Sequence, residues 1–276
     1  MKIDAEKGNG VDLAKQFNVR GYPTTVFVNA DGEEIDRIVG YLSKEKWLGE
    51  IRRINAGKNT YASLKEQVKS KPDDVNLLIQ FAEKVEQRNR NSDQIPELWE
   101  QIRTLAETGT DEYVTAEYKL ASIKAMEEQS PEPLESFIHE YPNEPQRISA
   151  YQTLVRLYRN SKMTTKEAEV FKTLADEAVQ SGNASPGLLN SYAWRMSELE
   201  TNLEDALAKA EKAVKMVQDQ DAQTQAQVMD TQAEVLWKMG RTQQAVKVIN
   251  QCIELQPEDE YYQKQKQKFL GESSEA

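Results

Sequence analysis

FNVRGYPTTVFVNADGEEIDRIVGY, residues 17–41, decides the fold of the amino-terminal part of this chain. Tyr22-Pro23 is an aromatic–proline step at the entry to a strand, and X-Pro bonds take the cis form more readily than other peptide bonds, usually at a tight turn. Thr24–Val28 and Ile35–Val39 are rich in β-branched and aromatic residues, and the Asp-Gly pair between them is a strong hairpin signal. The stretch therefore predicts a tight turn followed by a β-hairpin.

Helical patterns flank this hairpin on both sides. GVDLAKQF, residues 10–17, predicts a short helix before the proline turn. After the hairpin, SKEKWLGEIRRI begins with Ser43 as a helix N-cap and repeats apolar residues at helical spacing. The apolar residues that share this helix face are Trp47, Leu48, Ile51 and Ile54.

This order of elements resembles the C-terminal half of a thioredoxin-like domain, over roughly residues 1–55. VRGYPTTVFVNADG is similar to the cis-proline loop and the strand after it, and IVGYLSKEKWLGEI to the last strand and helix. The resemblance implies that Met1–Asp4 ends an earlier strand. It also implies that the first half of the domain, with its Cys-x-x-Cys helix, lies before Met1.

The same resemblance supplies candidate site residues. In that family the residue before the cis proline offers its backbone to an extended substrate segment beside the reactive cysteine. The matching positions here are Tyr22 and Pro23, with Gly40 lining the same groove. Without the cysteines these residues would position a peptide but not exchange disulfides, and a purely structural turn is the alternative interpretation.

Composition narrows the function classes. The chain has 276 residues and a formal net charge of −11, yet residues 1–57 carry nine basic and nine acidic side chains, so the excess lies in residues 58–276. An acidic surface repels phosphate backbones and anionic lipids, which argues against nucleic acid and membrane partners. No apolar run approaches the length of a membrane span.

Single cysteine and histidine residues limit the chemistry of the chain. Cys252 alone excludes an intrachain disulfide or Cys-x-x-Cys chemistry, and we expect it to fill a buried position between helices. His139 leaves no basis for a histidine-rich metal site, and it is expected near the end of a helix. SELETNLED, residues 197–205, is more typical of a solvated loop than of a metal site. We therefore expect no catalytic residue, no metal and no cofactor in this chain.

From Thr60 onward apolar residues recur at helical spacing, separated by short polar turns, which predicts a stack of helix pairs. The last pair, DTQAEVLWKMGRTQQAVKVINQCIELQPED, resembles a tetratricopeptide (TPR) repeat. Its small, turn, apolar and proline positions are filled by Ala233, Gly240, Ala245, Ile249 and Pro257. The preceding pair matches less completely, with Ala206, Ala210 and Ala213 in register but Gln218 in place of the proline.

The predicted fold class is mainly α: an α-solenoid of TPR-like antiparallel helix pairs, preceded by a partial α/β thioredoxin-like half-domain. The expected domains are residues 1–57 for the half-domain and 58–272 for the repeats, with 273–276 as a disordered tail. Because half of a sheet leaves Thr24–Val28 with an open edge, we expect residues 1–40 to be the least stable part and this strand to offer a surface for self-association.

Two functions of different classes remain open from the sequence. The chain is either a protein-interaction scaffold with a truncated, catalytically inactive thioredoxin-like module, or a fragment of a thiol–disulfide oxidoreductase whose helical tail recruits protein substrates. Both predict protein or peptide partners. A TPR co-chaperone is weaker, since Lys238 and Arg195 are isolated candidates for the family's basic clamp. The resemblance favours a bacterial periplasm or envelope location, with no export signal observable.

Overall fold

A computed structural model describes residues 3–271 of the chain, which form fourteen helices and one two-stranded sheet. In chain order the elements are α1 (Asn9–Gln16), β1 (Thr24–Val28), β2 (Glu34–Val39), α2 (Lys44–Asn55), α3 (Tyr61–Ser70), α4 (Val75–Arg88), α5 (Gln94–Leu105), α6 (Asp111–Glu128), α7 (Glu132–Glu140), α8 (Arg147–Asn160), α9 (Thr164–Gln180), α10 (Pro186–Leu199), α11 (Leu203–Met216), α12 (Ala222–Lys238), α13 (Thr242–Leu255) and α14 (Glu260–Leu270).

The predicted hairpin is present. β1 pairs with β2 in antiparallel fashion, with Thr24 opposite Val39, and a bulge interrupts the register next to Val28. Gly32 has a φ of 82°, a left-handed conformation that glycine adopts without a steric penalty. The Tyr22-Pro23 bond is cis, as the aromatic–proline step predicted.

Two local expectations differ from the structure. Ile3 and Asp4, expected at the end of a strand, lie in irregular backbone, because no strand of residues 3–271 lies beside them; Met1 and Lys2 fall outside the described residues. Ser43 occupies the N-cap position of α2, but its side chain makes no capping hydrogen bond.

The apolar face predicted for α2 is only partly covered. Ile54 is buried and Ile51 is half-buried, whereas Trp47 and Leu48 remain exposed. The carboxyl-terminal end of α2 is therefore the end that packs, and the end next to the hairpin presents apolar surface to solvent.

The chain divides into two compact units, Met1–Arg147 and Ile148–Ala276, and each is considered by itself. In the first unit, helices α3 to α7 pack in sequence as neighbouring pairs. Its core is centred on Trp99, which is fully buried and donates its indole N–H to Glu86 Oε1 at 2.8 Å. The other buried members of this core are Leu64, Leu78, Phe81, Ala82, Val85, Ile95, Ile102 and Ala116.

In the second unit, helices approach each other through small side chains. Ala206, Ala210 and Ala213 of α11 are fully buried, as are Ala233, Ala245 and Cys252 of α12 and α13. Ile249 is fully buried, and Gly240 forms the turn between the two helices with a φ of 74°. These are the positions that the TPR resemblance selected, and the predicted fold class is confirmed.

Candidate peptide-binding site

The three residues proposed for a peptide groove lie together in the structure. The N–H of Gly40 donates to the carbonyl oxygen of Pro23 at 2.8 Å, which joins the end of β2 to the cis-proline turn before β1. Tyr22, Pro23 and Gly40 are all exposed. The geometry places the three residues on one accessible surface, which is the arrangement that peptide binding there would require.

Gly40 has a conformational reason to be glycine. Its φ of 87° lies in the left-handed region that side-chain-bearing residues rarely adopt. An added Cβ atom would meet no atom within 4 Å, so the surface above this residue is open. The backbone, rather than the need for space, selects glycine at this position.

Large apolar side chains next to this turn in the sequence remain in contact with solvent. Tyr22 is 60% exposed, Val39 is 53% exposed and Tyr41 is 86% exposed. Exposed aromatic side chains offer large contact area at a small cost in conformational entropy, which makes them suitable for binding an extended chain. Tyr41 was not selected as a site residue by sequence reasoning, although it follows Gly40 directly.

The strand that carries Gly40 is held in place by buried charges. Asp36 is only 1% exposed and accepts hydrogen bonds from Lys84 Nζ at 2.8 and 2.9 Å and from Arg53 Nη2 at 2.6 Å. Buried carboxylates require such partners, because an unpaired charge in the protein interior is costly. β2 is thereby fixed to α2 and α4 through Asp36.

A second buried pair lies on the same strand. Arg37 and Glu34 form two hydrogen bonds, of 2.6 and 2.7 Å, and both side chains are almost completely buried. Arg37 also donates to the carbonyl oxygen of Phe17 at 2.6 Å, while Glu34 accepts from Arg88 of α4 at 3.0 Å. Sequence patterning missed this cluster, because charged residues in a short strand of a hairpin usually indicate a solvent-facing side.

The second unit contains the single thiol of the chain. Cys252 is fully buried, and its Sγ lies 3.5 Å from the carbonyl oxygen of Ala226. Burial, together with the nearby carboxylate of Asp230, raises the pKa of the Cys252 thiol to about 12. The prediction of a buried, unreactive cysteine agrees with this position, since the thiolate is the reactive form.

The remaining candidates are occupied by contacts within the protein. Lys238 Nζ binds Glu200 at 2.7 Å, and Arg195 binds Glu167 and Glu198. Neither is a free cation for a partner's carboxylate, which weakens the co-chaperone alternative. His139 lies in the last turn of α7, as expected.

Over residues 3–271, no group of three or more His, Cys, Asp or Glu side chains is arranged to hold a metal ion. No helix in the same range is both long and apolar enough to cross a membrane.

A comparison with known protein families identifies the amino-terminal segment of the chain. Residues 4–55 match the family model of the thioredoxin-like domain. No curated protein matches the sequence.

Two solved structures are similar in fold. BtubC (BKLC) from P. vanneervenii has a TM-score of 0.52 at 11% identity, over 79% of this chain and 92% of that one. A putative kinesin light chain from Podosopora anserina with nearly identical TPR-like repeats has a TM-score of 0.47 at 14% identity, over 67% of this chain and 96% of that one. At such identities the likeness concerns fold alone. The chain thus has a thioredoxin-like segment at residues 4–55, followed by helices that pair through small residues at the positions that the TPR resemblance predicted.

Proposed function

We propose that the chain is a protein-interaction scaffold in which residues 1–57 form a catalytically inactive thioredoxin-like module and residues 58–272 a TPR-like repeat domain. The observation that carries this proposal is the open aromatic surface around the cis Tyr22-Pro23 bond, held by a buried ion-pair cluster and lacking any neighbouring thiol among the described residues. The module has descended from a thioredoxin-family protein and retains the peptide-facing part of that fold.

Thiol–disulfide exchange needs two thiols, one to attack the disulfide and one to resolve the mixed disulfide. The single Cys252 is buried in α13 with a raised pKa and so supplies neither. The alternative function, as part of an oxidoreductase, would need a cysteine pair from outside these residues.

The first prediction follows from this chemistry. We expect the 276-residue chain to reduce insulin disulfides in the presence of dithiothreitol no faster than dithiothreitol alone, because no accessible thiolate is available. Turbidity of the precipitating insulin B chain is the measurement, with the Cys252→Ala variant as the matched control. Activity in the chain that the Cys252→Ala variant lacks would contradict the proposal.

The second prediction concerns the aromatic surface. We expect the double variant Tyr22→Ala, Tyr41→Ala to bind a permanently unfolded polypeptide, reduced and carboxymethylated α-lactalbumin, about tenfold more weakly than the unmodified chain. Both side chains are exposed, so their removal should leave the fold intact. The affinity is measured by fluorescence anisotropy.

Leu105→Ala supplies the control for this experiment, because Leu105 is an exposed apolar residue of the same unit outside the aromatic surface. Its affinity should equal that of the unmodified chain. An equal loss in both variants would mean that general hydrophobicity, and not the surface around Pro23, binds the probe.

The third prediction concerns self-association through β1. Its sheet contains only β1 and β2 within residues 3–271, so one edge of Thr24–Val28 faces no strand. Unpaired strand edges are templates for pairing with another chain. We therefore propose that two copies pair along β1, and we expect sedimentation velocity to show a dimer fraction that grows with concentration. Val26→Pro removes a main-chain N–H donor in β1, so this variant should show no dimer. A dimer that persists in Val26→Pro would mean that the two copies contact each other elsewhere.

A further inference from the structure

A cleft of about 520 Å³ lies beside the ion-pair cluster, between β2, α2 and α4 of the first unit. Its walls include Arg37, Ile38 and Val39, three consecutive residues of β2. Side chains alternate between the two faces of a strand, so a cleft lined by three consecutive residues must run along the strand edge. This edge is opposite the one that pairs with β1.

Main-chain groups are available at one point of this edge. The N–H of Gly40 donates to Pro23 on the β1 side. In an antiparallel pair, successive residues alternately direct their N–H and C=O groups toward the partner strand and away from it. The N–H and C=O groups of Val39 therefore point away from β1. Val39 is also the exposed residue of the three, whereas Arg37 and Ile38 are buried. An extended chain that passes over Gly40 can therefore continue along Val39 into the cleft.

The glycine in the wall of the cleft has no visible conformational role. Gly49 lies within α2, does not have a positive φ, and an added Cβ would meet no atom within 4 Å. Glycine inside a helix is less stable than alanine, because it gives up more backbone freedom. Its one structural effect here is to leave the α2 side of the cleft open.

One cation of the cleft has no charged partner among residues 3–271. Arg37 pairs with Glu34, Lys84 pairs with Asp36, and Glu50 pairs with Arg53. The fourth charged residue of the lining, Lys46, is exposed and forms no ion pair or hydrogen bond with any described residue. A carboxylate is the natural complement to this ammonium group.

We infer that the cleft between β2, α2 and α4 binds an extended segment of a partner protein, with an acidic side chain on Lys46 and an apolar side chain on Val39. Main-chain pairing with a strand edge, combined with contacts to alternate side chains, is a recurring mode of extended-peptide recognition. The inference rests on the proposed scaffold function, but it concerns a surface that Tyr22 and Tyr41 do not line.

The test uses a fluorescent peptide of alternating valine and glutamate, and the same peptide with lysine in place of glutamate. We expect the acidic peptide to bind at least about tenfold more tightly. Lys46→Glu should weaken its binding about tenfold, whereas Lys44→Glu, with the same charge change on α2 but outside the cleft, should not. Equal loss in both variants would mean long-range attraction and would overturn the inference.

A second pair of variants tests the space in the cleft. Gly49→Leu should fill the cleft and abolish binding while leaving the helix intact, and Gly187→Leu, at another open helical glycine, should bind as the unmodified chain does. Undiminished binding to Gly49→Leu would overturn the inference.

Hydrogen exchange places the peptide on the protein. Slower exchange of the Val39 amide with the acidic peptide is expected. Protection of Val39 that grows with protein concentration alone would assign the cleft to a second copy and overturn the inference.

Binding that is lost in Tyr22→Ala, Tyr41→Ala but kept in Lys46→Glu and Gly49→Leu would overturn the cleft and leave the scaffold function standing. Absence of binding to both peptides would overturn the cleft, while the α-lactalbumin experiment decides the scaffold function by itself.

Discussion

Replacing Asp36 with alanine is expected to destabilise the hairpin and the α3–α4 pair together by about 3 kcal/mol, the lower end of the cost of breaking a buried ion pair. Asp36 is buried between two cations, Lys84 of α4 and Arg53 of α2. The substitution leaves both cations partly buried without their common partner. It also removes the contact that fixes β2 to these helices.

Arg53 shows how strongly the charges depend on each other. Burial by itself would lower the pKa of the Arg53 guanidinium, but the carboxylates of Glu50 and Asp36 raise it overall. Part of this stabilisation survives in Asp36→Ala, because Glu50 still binds Arg53 at 2.9 Å. Lys84 has no such second carboxylate among the described residues, so we expect most of the cost to arise there.

Hydrogen exchange detected by mass spectrometry measures this loss locally. Peptides that contain β2, α3 and α4 should exchange faster in Asp36→Ala, while peptides from the second unit should not change. Glu66→Ala is the matched control, because the Glu66–Lys69 pair is exposed and exposed pairs contribute little. Unchanged exchange of β2 in Asp36→Ala would show that the ion-pair cluster does not anchor the hairpin.

This anchoring also changes the expectation for the first residues of the chain. From the sequence, all of residues 1–40 were expected to exchange quickly. The two strands of the hairpin differ in burial. In β2, Glu34, Asp36, Arg37 and Ile38 are buried. In β1, Thr24 to Phe27 are only half-buried and Val28 is exposed. We now expect β2 to be better protected than β1.

How far the sequence predicted the structure depended on whether the signal was local. The cis proline turn, the hairpin and the helix pairs follow from neighbouring residues, such as the Asp31-Gly32 pair and the small residues of α11 to α13. These signals act through backbone geometry and packing distance, which are encoded at fixed spacing. Positions such as Ala233 and Ala245 were therefore identified correctly without any structure.

The site required information from distant parts of the chain. Asp36 and Lys84 are 48 residues apart, and Glu34 and Arg88 are 54 apart. No periodicity connects such positions, so a charged strand residue with a distant partner is indistinguishable in sequence from one that faces water. The cleft at Lys46 was missed for the same reason, since its walls come from three separate elements.

Replacing Asp230 with asparagine is expected to stabilise the second unit above about pH 6. Asp230 lies in α12 and is buried; its Oδ2 accepts from the hydroxyl of Tyr261 at 2.9 Å, but its Oδ1 makes no hydrogen bond within the described residues. Burial is the main reason that the pKa of Asp230 is raised from 3.8 to about 6. The folded protein therefore holds this carboxyl group's proton more tightly than the unfolded chain does.

The direction of the pH effect follows from this difference. Between about pH 4 and pH 6 the folded state binds more protons at Asp230 than the unfolded state, so stability falls as the pH rises through this window. The rise in the pKa of Asp230 from 3.8 to about 6 corresponds to about 3 kcal/mol of destabilisation, which is absent well below pH 4 and fully present above pH 6. Asparagine avoids this cost at high pH, and an unpaired amide N–H costs about 1 kcal/mol, so the net gain is about 1–2 kcal/mol.

Other groups facing Asp230 set the background of the experiment. Glu234 on the same helix raises its pKa, while Tyr261 and Lys268 of α14 lower it. Cys252 of α13 and Tyr262 of α14 have raised pKa values and stay neutral throughout this range. Lys268 binds Glu234 at 2.6 Å and so directly compensates the charge of Glu234 rather than that of Asp230. Ionisation of Asp230 therefore costs more free energy than ionisation of any other carboxyl group in this cluster.

Urea unfolding of the full chain at about pH 4.5 and about pH 7.5 tests the prediction. The stability of Asp230→Asn relative to the unmodified chain should rise by about 2 kcal/mol between the two pH values. Asp219→Asn is the control, because Asp219 is an exposed carboxylate between α11 and α12, and it should show no such rise. The stability difference between Asp230→Asn and the unmodified chain could instead stay constant from pH 4.5 to 7.5. That result would mean that Asp230 is ionised in the folded protein over this whole range, with its Oδ1 solvated.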